Sequence, residues 1–178
     1  MTPIADTPLI SSLREADHVR VLFVCLGNIC RSPAAEGVMR SIVTNAGDAY
    51  RWTIDSAGTG GWHVGQLPDK RMRVHAQRRG LTLDHRCRQV READFDEFDL
   101  IIGMDDANVA DLRELAPTVE AQAKVVPMAR FVSMAMRADC IPDPYYEGAE
   151  GFELVLDLLE DGCRNLHRAL TPEALLTD

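Results

Sequence analysis

Short apolar runs alternate along this chain with stretches whose apolar residues recur every three or four positions. Val19 to Val24 precedes a helical pattern through Val38, Met39, Ile42, Val43 and Ala46, and the final stretch carries Phe152, Val155, Leu159, Cys163, Leu166 and Leu170 on one face. Further strands are expected at Arg51 to Asp55, at Leu100 to Ile102 and at Lys124 to Pro127. Ser56 to Gly61 would end the second of these as a glycine-rich loop. Asp69 can cap a helix that stops at Gly80, and Asp105 one that runs to about Ala116. Strands joined through helices pair in parallel, so the order predicts an α/β fold of three layers, a parallel twisted sheet with helices on both faces. In such sheets ligands bind at the carboxyl ends of the strands.

At 178 residues the chain reads as one domain, 18–171, with a flexible extension at 1–17 and a tail at 172–178. No apolar run approaches the roughly 18 to 20 residues that span a bilayer. Met1 to Asp17 lacks a basic segment followed by an apolar one, so a cleaved secretion signal is not expected. The net charge of −9 argues against nucleic acid and anionic membranes as partners. Five cysteines without metal-type spacing suit a reducing, cytoplasmic setting. Eight basic residues fall between Lys70 and Arg91 and five acids between Glu92 and Asp99. The basic run is either a solvated helix face or a rim that recruits an acidic phosphoprotein.

The chemistry concentrates at Cys25-Leu26-Gly27-Asn28-Ile29-Cys30-Arg31-Ser32, between the first strand and Pro33. A strand, a short loop and a helix N-terminus aim backbone N–H groups and the positive end of a helix dipole at one point. A thiol there is depressed toward its thiolate. Arg31 offers a planar fork that matches two phosphoryl oxygens. Gly27 lets the backbone curl around an anion. Ser32 is a natural N-cap and Pro33 a natural first helical residue, and the Ser32 hydroxyl can also donate to the Cys25 sulfur.

A thiolate that expels an alkoxide or phenoxide needs a proton donor in reach. Asp143, held extended by Pro144 in Ile141-Pro142-Asp143-Pro144-Tyr145-Tyr146, can serve, although Asp-Pro-Tyr is also an ordinary turn. Tyr145, Tyr146 and Trp62 supply flat walls for an aromatic ring, although a lone loop Trp such as Trp62 is more often a partly buried packing residue. His85 either braces the cysteine loop or lies on the surface. His18, His63, His75 and His167 show no metal spacing, so no metal or other cofactor is expected. Cys163 reads as core. Cys30 is either a packed thiol or a partner that captures oxidised Cys25 as a disulfide.

These residues resemble the low-molecular-weight protein tyrosine phosphatases over about Val19 to Leu166. The likeness rests on Cys25 to Pro33, Asp55-Ser56-Ala57-Gly58-Thr59, Trp62-His63-Val64-Gly65, Gly103-Met104-Asp105 and Asp143 to Tyr146. It implies a four-stranded, flavodoxin-like fold and hydrolysis of phosphotyrosine through a phosphocysteine on Cys25. Asp143 would act as acid and then base, and Arg31 with the amides of Leu26, Gly27, Asn28, Ile29, Cys30 and Ser32 would bind the phosphoryl group. Asn28, Ser32, Ser56 and His85 would hold the loop in shape. The implied partners are tyrosine-phosphorylated proteins.

The same fold hosts arsenate reductases, for which Cys87 is an isolated thiol rather than one of a pair, and arginine phosphatases, which tend to carry a small polar residue where this chain has Ile29. A phosphoprotein binder without turnover is the remaining alternative.

Overall fold

Val21, Leu22, Phe23 and Val24 are all fully buried, as expected for a strand covered on both faces. The computed structural model describes residues 6–176. Its elements run α1 (Pro8–Arg14), β1 (Val19–Cys25), α2 (Arg31–Ala46), β2 (Trp52–Gly58), α3 (Lys70–Arg78), α4 (Asp94–Glu97), β3 (Leu100–Gly103), α5 (Asp106–Leu115), α6 (Val119–Ala123), β4 (Val125–Pro127) and α7 (Ala149–Ala169), with short 3₁₀ turns between some of them. The four strands pair in parallel in the order β2-β1-β3-β4.

Alternation along β1 divides the core in two. Val19, Val21 and Phe23 pack with Ala34, Val38 and Met39 of α2 and with the apolar stripe of α7. Leu22 and Val24 face Phe95, Phe98, Val109, Leu112 and Ala121 on the side of α4, α5 and α6. Three layers result, as the alternation of runs predicts.

The strand ends are in register: Cys25 lies beside Gly58, Val24 beside Gly103, and Gly103 beside Pro127. Every loop that leaves the carboxyl edge therefore opens on the same surface. Gly58 makes room for one of them, since a Cβ there would sit 2.8 Å from the Leu26 carbonyl oxygen and 3.0 Å from the Asn28 nitrogen.

Three local expectations are corrected. β2 continues through Ser56, Ala57 and Gly58, because β1 supplies a partner for each and all three are buried. Ser32 is not the N-cap of α2: the helix begins at Arg31 after Cys30, and Ser32 turns inward from its first turn.

The third correction concerns residues 1–17. Thr7 caps α1, Ile10 and Leu13 are buried, and the buried Arg51 guanidinium donates to the carbonyls of Leu13, Arg14, Ala16 and Leu170. One turn beyond the expected tail boundary, Glu173–Leu175 forms a 3₁₀ helix. Residues 1–5 and 177–178, which belong to the expected extension and tail, lie outside the described residues. Among the described residues no helix is long and apolar enough to cross a membrane.

Candidate active site

The loop from Cys25 to Arg31 wraps the floor of a cleft of about 240 Å³ at the carboxyl edge of the sheet. Cys25, Leu26, Gly27, Ile29, Cys30 and Arg31 line it from below; Trp62, His63, Asp143, Tyr145 and Tyr146 form its sides. Asn28 and Ser32 are fully buried behind the floor and do not line the cleft.

Asn28 holds the loop from there. Its φ of +57° is left-handed, a conformation that Asn tolerates better than most residues. Its Nδ2 donates to Ser32 Oγ at 2.9 Å and to Ser56 Oγ at 3.0 Å. Its Oδ1 accepts from His85 Nε2 at 3.0 Å and from the Arg88 backbone N–H at 2.9 Å. Its carbonyl accepts the Cys87 thiol at 2.8 Å.

That lattice bears on the sulfur. Ser32 Oγ is 3.0 Å from Cys25 Sγ and 3.2 Å from the Ala57 carbonyl oxygen. The hydroxyl already accepts from Asn28, so its one proton goes to one of these two, and a negative sulfur draws it. Ser56 passes the network outward by donating to Glu36 Oε1 at 2.9 Å, while the second ring nitrogen of His85 lies 3.3 Å from the same oxygen.

Arg31 is buried, yet charged groups surround it. Nη1 donates to Asp105 Oδ2 at 2.6 Å and to the Ile141 carbonyl at 3.0 Å; Nη2 lies 3.7 Å from Asp143 Oδ2. Asp143 Oδ1 accepts the Tyr145 N–H at 3.1 Å, the Asx turn that Asp-Pro-Tyr predicts, with its carboxyl turned to the cleft mouth. Tyr145 and Tyr146 meet edge to face at 4.9 Å, and the Arg71 guanidinium lies 5.3 Å from the Tyr145 ring. Trp62 is 69 % exposed, which removes the packing reading.

Burial pushes the Cys30 thiol well above its ordinary range and Cys87 up to about 11. Within the basic run from Lys70 to Arg91, Arg79 pairs with Glu153, Asp157 and Glu160, and Arg88 with Asp55 and the buried Asp94, while Lys70, Arg71, Arg78, Arg86 and Arg91 stay exposed.

Asp105, foreseen as a helix cap, also orients Arg31, and a signal for this existed in its place just past a buried strand at the ligand edge. Glu36, Arg88 and His63 carried no comparable signal. A thiol and a guanidinium bracketing one loop, with a carboxylate at its mouth, define a site that can hold a phosphate monoester against a nucleophile.

The chain belongs to the low molecular weight phosphotyrosine protein phosphatase family, whose model matches residues 20–175. It is 42% identical over 152 residues to the low molecular weight protein-tyrosine-phosphatase of Streptomyces coelicolor, covering 85% of this chain and 93% of that one. A crystal structure of protein tyrosine phosphatase from Entamoeba histolytica superposes with a TM-score of 0.83 at 43% identity, covering 85% and 96% of the two chains. A Drosophila arginine phosphatase superposes with a TM-score of 0.78 at 30% identity, covering 86% and 98%.

Proposed function

We propose that this family member hydrolyses phosphotyrosine in proteins, and small aryl phosphates, through a phosphocysteine on Cys25. The observation that carries the reading is that Cys25, Arg31 and Asp143 line one cleft whose sides are aromatic. Cys25 sulfur attacks phosphorus as the bond to the tyrosyl oxygen breaks, and Asp143 gives that oxygen its proton. Asp143 then takes a proton from the water that attacks phosphorus, and the S–P bond breaks. Ser32 donates to the departing sulfur from 3.0 Å. With Nη1 of Arg31 committed to Asp105 and Ile141, Nε and Nη2 remain for two phosphoryl oxygens.

Trp62, Tyr145 and Tyr146 suit an aromatic leaving group, and Ile29 puts an apolar side chain where phosphoarginine would want a polar one. Arsenate reduction is disfavoured, because Cys87 keeps its proton and spends it on the Asn28 carbonyl. The five cysteines are all free thiols, which suits a cytoplasmic setting.

Hydrolysis of an aryl phosphate and of matched phosphotyrosine and phosphoarginine peptides tests the proposal. Cys25→Ser is expected to reduce turnover to background and Asp143→Ala to lower it by about 100-fold or more. Turnover that survives Cys25→Ser, or a preference for phosphoarginine, would overturn it.

A further inference from the structure

The catalytic cleft does not end at Leu26 and Trp62. Both also line a second groove of about 700 Å³, whose far wall is α5 with Asp111, Glu114 and Leu115. Leu26, Trp62 and Leu115 are 44%, 69% and 38% exposed there, an apolar strip continuous with the wall of the cleft. Asp111 and Glu114 are exposed, and no basic side chain lines the groove.

Of the acids at 92–99, Asp94 is tied to Arg88, Glu97 to Arg91 and Asp99 to Arg20, while Glu92 and Asp96, like Asp111 and Glu114, take part in no ion pair among the described residues. What sets Asp111 and Glu114 apart is their place on the wall of this groove, which neither Glu92 nor Asp96 lines. The carboxyl end of α5 adds the negative end of its dipole on the same side. A polypeptide that delivers a phosphorylated side chain into the cleft has to leave over its rim. Past Leu26 and Trp62 it would run along an apolar floor toward two unpaired negative charges.

Resting on the phosphotyrosine reading, we propose that this groove seats the substrate chain beside the phosphotyrosine, and that Asp111 and Glu114 select substrates with lysine or arginine there. The occupant is therefore a phosphoprotein segment with basic character, despite the anionic group that defines the substrate. Attraction between exposed charges works mainly on encounter and ground-state binding, so the selection belongs in KM rather than kcat.

The test compares phosphotyrosine peptides of equal length carrying Lys, Ala or Glu on either side of the modified residue, with an aryl phosphate measured alongside. Wild type is expected to favour the Lys peptide over the Ala peptide by about two- to fivefold in kcat/KM, less so at high salt. The double variant Asp111→Asn/Glu114→Gln removes the preference and leaves aryl phosphate hydrolysis unchanged; Glu114→Lys reverses it toward the Glu peptide. A wild type indifferent to flanking charge, or a preference that survives the double variant, overturns the groove's role while aryl phosphate turnover keeps the catalytic reading intact. Absence of aryl phosphate turnover in every protein overturns both.

Discussion

Asp105 does two things with two oxygens. Oδ1 accepts the Asn108 N–H at 2.8 Å and caps α5, while Oδ2 accepts Arg31 Nη1 at 2.6 Å. The roles separate by substitution, because Asn caps a helix as well as Asp does but turns an amide N–H toward the guanidinium. Asp105→Asn is expected to lower kcat/KM by about 10- to 100-fold, the worth of a charge-assisted hydrogen bond that orients the phosphate fork. Asp105→Ala should match that loss and also lower Tm by a further 2–4 °C or so, the cost of the missing cap. Steady-state kinetics beside a thermal melt tells the two apart. Asn28 shows the same economy at the loop: one amide reaches Ser32, Ser56, His85 and the Arg88 backbone, so the left-handed residue is held on every side.

At the level of elements, α1 is a seven-residue helix, too short to hold itself in water. It is held instead by Ile10 and Leu13 in the core and by Arg51, whose guanidinium reaches back to Leu13, Arg14 and Ala16 and across to Leu170 after α7. Arg51→Met fills similar space but leaves four carbonyl groups without that donor. A destabilisation of about 3 kcal/mol is expected, or a Tm lower by about 6–12 °C, with aryl phosphate turnover at moderate temperature preserved. The loop from Cys25 to Arg31 leaves the opposite end of the β1–β2 pair from this contact, so a parallel collapse of activity would show that α1 supports the site as well.

Across the whole molecule, three buried thiols set a limit at high pH. Burial raises Cys30 and Cys163 well above the ordinary 9.0 and takes Cys87 up to about 11. The unfolded chain ionises these thiols near 9 while the folded one keeps their protons, so stability is fully present below pH 9 and falls as pH rises through about 11. Urea midpoints taken across that range check it, and Cys87→Ala/Cys163→Ala should flatten the decline. The layered parallel fold was legible in the sequence because a strand buried on two faces and a helix buried on one leave periodicities that neighbours cannot disguise. So was the turn of the chain from Cys25 to Arg31, since an apolar strand, a glycine and a helix start follow one another directly in the sequence. Glu36, Arg88, the second role of Asp105 and the docking of α1 were not, because each rests on partners tens of residues away whose side chains carry no periodic mark. Sequence alone thus determined that a thiol, a guanidinium and a helix N-terminus share one loop at the end of β1. Only the tertiary structure decided what holds them there and which charges remain unpaired at the rim, because pairing depends on which distant segments the fold brings within a few ångströms.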